Sequence, residues 1–187
     1  MTVLSVNLNK VALLRNQRDL SYPNLLDMAR TAIAAGAGGI TVHPRPGERH
    51  IRKSDVRELA QMLKSESPGT IEFNVEGYPS QDFMALVEAV RPHQVTLVPD
   101  APGQSTSDHG WDIPKNMDTL CTITSQLHKI GARVALFVDD DPAMAEPAKA
   151  TGTDRVELYT GPYHFAFAKG QGSEALKSFK ATAEAMR

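Results

Sequence analysis

A single cysteine, Cys121, stands in 187 residues, so no internal disulfide can brace the chain and nothing calls for an oxidising compartment. Charge of one sign is lacking too. The 20 Lys and Arg against 22 Asp and Glu leave a net charge of −2, so no global field favours nucleic acid. No apolar run approaches the roughly 20 residues that a membrane-spanning helix needs. The strand-like VLSV begins at Val3 with no basic and apolar leader before it, and with the lone cysteine this predicts a cytoplasmic protein. Cys121 lies in a helical stretch and reads as a small packing residue. Met28, Met62, Met84, Met117 and Met144 are spread over several predicted helices and read the same way.

What is present is an alternation of short apolar runs and longer periodic ones, in a chain with 41% hydrophobic and 22% charged residues, enough for one domain with a real core. Strands are predicted at 3–7, 40–43, 70–75, 94–98, 133–138 and 155–159. Helices are predicted at 23–35, 54–64, 80–90, 113–130, 141–151 and 173–186. Ser54 and Ser80 are read as N-caps, and Asp141 followed by Pro142 as an acidic cap with proline at the first helical position. Six consecutive βα units with short links predict parallel strands of the α/β class.

An open doubly wound sheet and a barrel both fit that alternation. No G-x-G-x-x-G follows the first strand to mark the switch point of an open sheet. Asn7, His43, Glu72, Asp139 and Glu157 fall within or just beyond the C-terminal parts of different predicted strands, which is where barrel enzymes gather their chemistry. The expected fold is therefore a (β/α)8 TIM barrel with extra helices, residues 1–187 forming a single barrel domain of about six units. Such barrels need eight, so the final two units are expected to be missing and the chain to be truncated at its C-terminus.

The densest chemistry is in Gly39–His50, GITVHPRPGERH. A buried-type strand gives way at once to His43, Arg45, Arg49 and His50 on a loop broken by Pro44, Pro46 and Gly47. Two fixed cations beside two titratable imidazoles suit proton transfer on a phosphorylated or carboxylated metabolite. The competing reading is a solvated basic loop.

LSVNLNKVALLRNQR, GITVHPRPGERHIRKSDV, IEFNVE, RPHQVTLVPD, ALFVDDDP and VELYTGPY, in that order from Val3 to about Tyr163, resemble the pyridoxine 5'-phosphate synthase family. The resemblance implies a (β/α)8 barrel assembled as an octamer of dimers and needing no cofactor or metal. It implies condensation of 3-amino-2-oxopropyl phosphate with 1-deoxy-D-xylulose 5-phosphate, giving pyridoxine 5'-phosphate, phosphate and water. Carried over by position, it makes His43 and Glu72 proton acceptors and Glu157 a stabiliser of the transition state. Arg45, His50 and Thr106 become contacts to the sugar phosphate, and Asn7 and Arg18 contacts to the amino ketone phosphate.

Asn9 and Lys10 depart from the aspartate and histidine of the family pattern, but keep hydrogen-bonding capacity suited to a substrate-binding pair. The family's further histidine and glycine-rich phosphate contacts, after its last strands, are not found, so a chain of this length is expected to be inactive alone. Two other functions remain open on the same residues. One is a non-catalytic phosphometabolite-binding protein, and the other an aldolase-like lyase using Lys10 as a Schiff base. Glu72 and Glu157 could equally be ion-paired rim residues and Asn7 a backbone cap. The run Asp139, Asp140, Asp141 invites a metal reading, but its oxygens are not spaced to converge.

Overall fold

A computed structural model of the chain describes residues 2–18, 20–100, 103, 104 and 106–187. Six strands form one sheet in the order of the sequence, β1 to β6. They are β1 (Ser5–Asn7), β2 (Gly39–Val42), β3 (Glu72–Gly77), β4 (Gln94–Leu97), β5 (Arg133–Val138) and β6 (Arg155–Leu158). The pairs β1–β2, β2–β3 and β5–β6 are parallel. Helices lie between successive strands, which is the sequence-ordered parallel topology of the (β/α)8 class with six of its units present. No helix among the described residues is long and apolar enough to cross a membrane.

The chain divides into two compact units, one of residues 1–95 and 130–132, the other of residues 96–129 and 133–187. The first carries α1 (Asn9–Arg15), α2 (Leu25–Ala34), α3 (Lys53–Glu66) and α4 (Gln81–Val90). Its core is aliphatic on the helix-facing side of the sheet, where Ile40, Val42 and Val75 are fully buried with Val56, Leu59 and Val87. The opposite face is polar. Ser5 Oγ and Thr41 Oγ1 are 2.7 Å apart, Asn74 Nδ2 donates to Thr41 Oγ1 at 3.4 Å, and Gln94 Nε2 donates to Asn74 Oδ1 at 3.4 Å. This row lets polar side chains be buried because they hydrogen-bond one another.

The second unit carries α5 (Ile113–Lys129), α6 (Ala145–Ala150), α7 (Gly161–Ala168) and α8 (Gly172–Ala185). Leu97, Ile113, Leu120, Leu127, Val134, Leu136 and Val138 are among its fully buried aliphatics. A Cβ at Gly110 would lie 2.2 Å from the Asp139 backbone nitrogen, so only glycine lets this loop pass over the end of β5. Asp139 accepts from the Gly110 N–H, Asp140 from the Thr182 hydroxyl and Asp141 from the Ala143 N–H. Each acid of the run thus has a structural partner.

Two helices depart from the expectation. α1 is only seven residues long, buries Ala12 alone and starts at Leu8, which has no side-chain cap to announce it. α7 was also not foreseen; it buries no residue and so leaves no apolar stripe to read. Ser54 is not the cap of α3. That helix begins a residue earlier with Arg52 as N-cap, and Asp55 reaches back to accept the Arg52 N–H at 2.8 Å. Ser80 does cap α4, accepting from Phe83 N.

Candidate active site

The site lies in the first unit, where β2 ends. Val42 pairs with Val75 across to β3, so the next residue on each strand, His43 and Glu76, stand level. His43 Nδ1 is 3.8 Å from Glu76 Oε2, close enough for strong electrostatic coupling but too long for a hydrogen bond. The His43 backbone N–H is held at 2.9 Å by Asn9 Oδ1, and the Asn9 N–H in turn by Asn7 Oδ1 at 2.8 Å. Both asparagines therefore spend their oxygens on backbone donors, which leaves their NH2 groups as the donors available to an anion.

After His43 the chain makes a tight turn. Glu48 N donates to the Arg45 carbonyl, Glu48 adopts a positive φ of 47°, and its carboxylate accepts from Lys53 N at the start of α3. The turn brings His50 back beside His43, with ring centroids 6.4 Å apart. His43, Arg45 and His50 are all buried, whereas Arg49, Lys10 and Arg18 are exposed. Lys10, on the solvent side of α1, has no apolar wall to desolvate it, which a Schiff-base lysine needs.

Burial, then the positive fields of Arg45, protonated His50 and Arg49, lowers the His43 pKa from 6.5 to about 3. Burial, then Arg49, Arg45 and Lys10, lowers that of His50 to about 4. Both rings are therefore neutral near pH 7, the form that can accept a proton. The unfolded chain binds more protons than the folded one between pH 6.5 and these lowered values, so stability must fall as the pH drops through that window. Equilibrium denaturation is expected to show a loss of about 2 kcal/mol from His43 between pH 7 and pH 5, and a further loss of the same sign from His50. An unchanged midpoint between those two pH values would contradict this.

Glu72 lies lower on the same strand as Glu76. It opens β3 opposite Gly39, four residues before Glu76, and that spacing is about 13 Å along a strand. The glutamate beside His43 is Glu76, which the sequence reading passed over. Its signal was position, as the last side chain of β3 before Gly77, Tyr78 and Pro79. In the second unit, Glu157 sits on β6 opposite Phe137, and Thr106 lies exposed in the loop after β4. Burial of its carboxyl raises the Glu157 pKa, although the side chain still reaches water. Among the described residues no group of three or more His, Cys, Asp and Glu is placed to hold a metal ion.

The pyridoxal phosphate biosynthesis protein PdxJ family matches residues 4–187. A pyridoxine 5'-phosphate synthase of Mesorhizobium japonicum is 57% identical over 160 residues, covering 86% of this chain and 65% of its own length. One of Rhizobium meliloti is 54% identical over 162 residues, covering 86% and 64%. The chain thus spans just under two thirds of the curated relatives it matches. Among solved structures, a mandelate oxidase point mutant with the C4a-OH-FMN adduct aligns with TM-score 0.57 at 14% identity, over 98% of this chain and 71% of that one. A mutant flavocytochrome b2 with benzoylformate aligns with TM-score 0.57 at 12% identity, over 99% and 47%. At such identities these two share the fold alone. With a family match over nearly its whole length and relatives above half identity, the chain belongs to the pyridoxal phosphate biosynthesis protein PdxJ family.

Proposed function

We propose that this chain carries the sugar-phosphate side of a pyridoxine 5'-phosphate synthase, which condenses 3-amino-2-oxopropyl phosphate with 1-deoxy-D-xylulose 5-phosphate. The observation that carries the reading is the buried His43 level with Glu76, next to buried Arg45 and His50 at a strand end. Ring closure needs protons moved between carbon, oxygen and nitrogen. A neutral imidazole backed by a carboxylate can accept them, with the carboxylate steadying the imidazolium that forms.

His43 is a weak base without ligand, its pKa lying near 3 because it is buried and cations crowd it. A bound phosphate dianion offsets those cations and raises the pKa, so the substrate's own charge strengthens the base that acts on it. Arg45 and His50 are the grip on that phosphate. Arg45→Ala is expected to weaken 1-deoxy-D-xylulose 5-phosphate binding by about tenfold or more, with amino ketone affinity little changed. Calorimetry with each substrate separates the two, and a loss confined to the amino ketone would overturn the assignment.

Asn7 and Arg18 are assigned to the amino ketone phosphate, Asn9 and Lys10 to substrate binding, Thr106 to the sugar phosphate and Glu157 to stabilising the transition state. Apart from Asn9 and Lys10, which depart from the family pattern and rest on their hydrogen-bonding capacity, these assignments are supported by the family resemblance. Glu76 takes the second proton-acceptor role in place of Glu72. A cytoplasmic homo-oligomer acting on small phosphorylated substrates is part of the same reading. The test is incubation of the chain, extended by the remaining part of its relatives' length, with both substrates, scored by mass spectrometry for pyridoxine 5'-phosphate and by phosphate release. Equal amounts of the two are expected, whereas phosphate without the pyridine product would indicate a different lyase.

A further inference from the structure

His50 Nδ1 accepts the Ile51 N–H at 2.8 Å, so this nitrogen carries no proton and the neutral ring must hold its proton on Nε2. No hydrogen bond to Nε2 is formed among the described residues, although the residue as a whole is only 6% exposed. An N–H donor on a largely buried residue is thereby left for a ligand. The Ile51 N–H belongs to the same peptide group as the His50 carbonyl, and that carbonyl is gripped from α1. Asn16 Nδ2 donates to it at 2.7 Å and Arg15 Nη2 at 3.3 Å. Asn16 Nδ2 also reaches the Arg49 carbonyl at 3.1 Å.

Arg15 is itself fixed by a two-pronged, mostly buried pair with Asp55, Nη1 to Oδ1 at 2.6 Å and Nη2 to Oδ2 at 2.9 Å. Asp55 Oδ2 also takes the Arg52 N–H at the start of α3. The peptide plane between His50 and Ile51 is thus held at its oxygen by α1 and at its nitrogen by the imidazole. A rotation of that plane would withdraw the Ile51 N–H from Nδ1 and release the ring to either tautomer.

We propose that Arg15 and Asn16, seated on Asp55, are positioning residues that set His50 as a neutral Nε2–H donor to a phosphate oxygen of the substrate. This rests on the reading of His50 as a phosphate contact. A neutral donor fixed in this way adds a directed hydrogen bond where Arg45 and Arg49 already supply charge, and it binds phosphate without needing protonation near neutral pH.

The test is 15N spectroscopy of the His50 ring in the labelled 187-residue chain, where protonated and bare ring nitrogens are resolved, with inorganic phosphate as the probe. The variants are Asn16→Ala, which removes one exposed-edge amide, and Arg15→Lys, which keeps a cation for Asp55 but not the fork that reaches both partners. Wild type is expected to hold the proton on Nε2 throughout and to shift that resonance when phosphate is added. Both variants are expected to show a tautomer mixture and about tenfold weaker phosphate binding at unchanged circular dichroism. A wild-type ring indifferent to phosphate would overturn the phosphate reading and the clamp's purpose with it. A ring that responds to phosphate but stays wholly on the Nε2 tautomer in both variants would overturn the clamp alone.

Discussion

In the chain extended by the remaining part of its relatives' length, His43→Ala is expected to lower pyridoxine 5'-phosphate formation by about 10²–10⁴-fold, the range over which a positioned acid–base group contributes. The side chain is central because every feature of the strand end converges on it. Asn9 fixes its backbone, Glu76 stands 3.8 Å from its ring, and burial and cations hold that ring neutral. The loss must fall mainly on kcat, since Arg45 and His50 still hold the phosphate. Steady-state kinetics in both substrates measures this directly. Circular dichroism establishes that the fold persists, and His43→Gln, which fills more of the space that alanine would leave empty, serves as the second variant. Near-normal turnover in a folded variant would remove His43 from the mechanism.

Glu76→Gln carries the second large effect, about 10²-fold in kcat, because an amide of the same shape cannot stabilise an imidazolium. The carboxylate also opposes the cationic field around the ring, so its loss should drive the His43 pKa still lower. Glu72→Gln is the companion variant. With Glu72 at the start of β3, roughly 13 Å from the level of His43, turnover should change by less than about fivefold, as for a partly exposed charge. The two glutamates share a strand and a face, so the contrast isolates height along the strand as the deciding variable. The reverse outcome, Glu72 critical and Glu76 dispensable, would place the chemistry at the wrong end of the sheet.

That contrast also shows where sequence reading stops. Alternation along IEFNVE tells which side chains share a face, but both Glu72 and Glu76 lie on the same one. Height comes from register, and the predicted strand began at Thr70, two residues early, which set Glu72 too deep into it. By comparison Arg133–Val138 was legible to the residue, because an uninterrupted apolar run is bounded by Gly131 and Asp139. The cluster of His43, Arg45 and His50 was legible for a similar reason, with two prolines and a glycine fixing where the strand must end. Asn7 and Asn9 were seen as ligands, yet their oxygens hold backbone. Arg15 and Asn16 went unnoticed since the groups they hold in the loop are peptide carbonyls, and a sequence names side chains only.

The central claim is that the end of β2 is a phosphosugar site whose imidazoles gain basicity when the anion arrives. It is tested most directly by titrating the 187-residue chain with 1-deoxy-D-xylulose 5-phosphate while following the ring nitrogens of His43 and His50. Saturable binding is predicted, with both rings shifted, the pKa of His43 raised from about 3, and protons taken up from buffer as the pH is lowered toward about 5. Rings that stay unmoved at millimolar ligand, with no proton uptake, would contradict it.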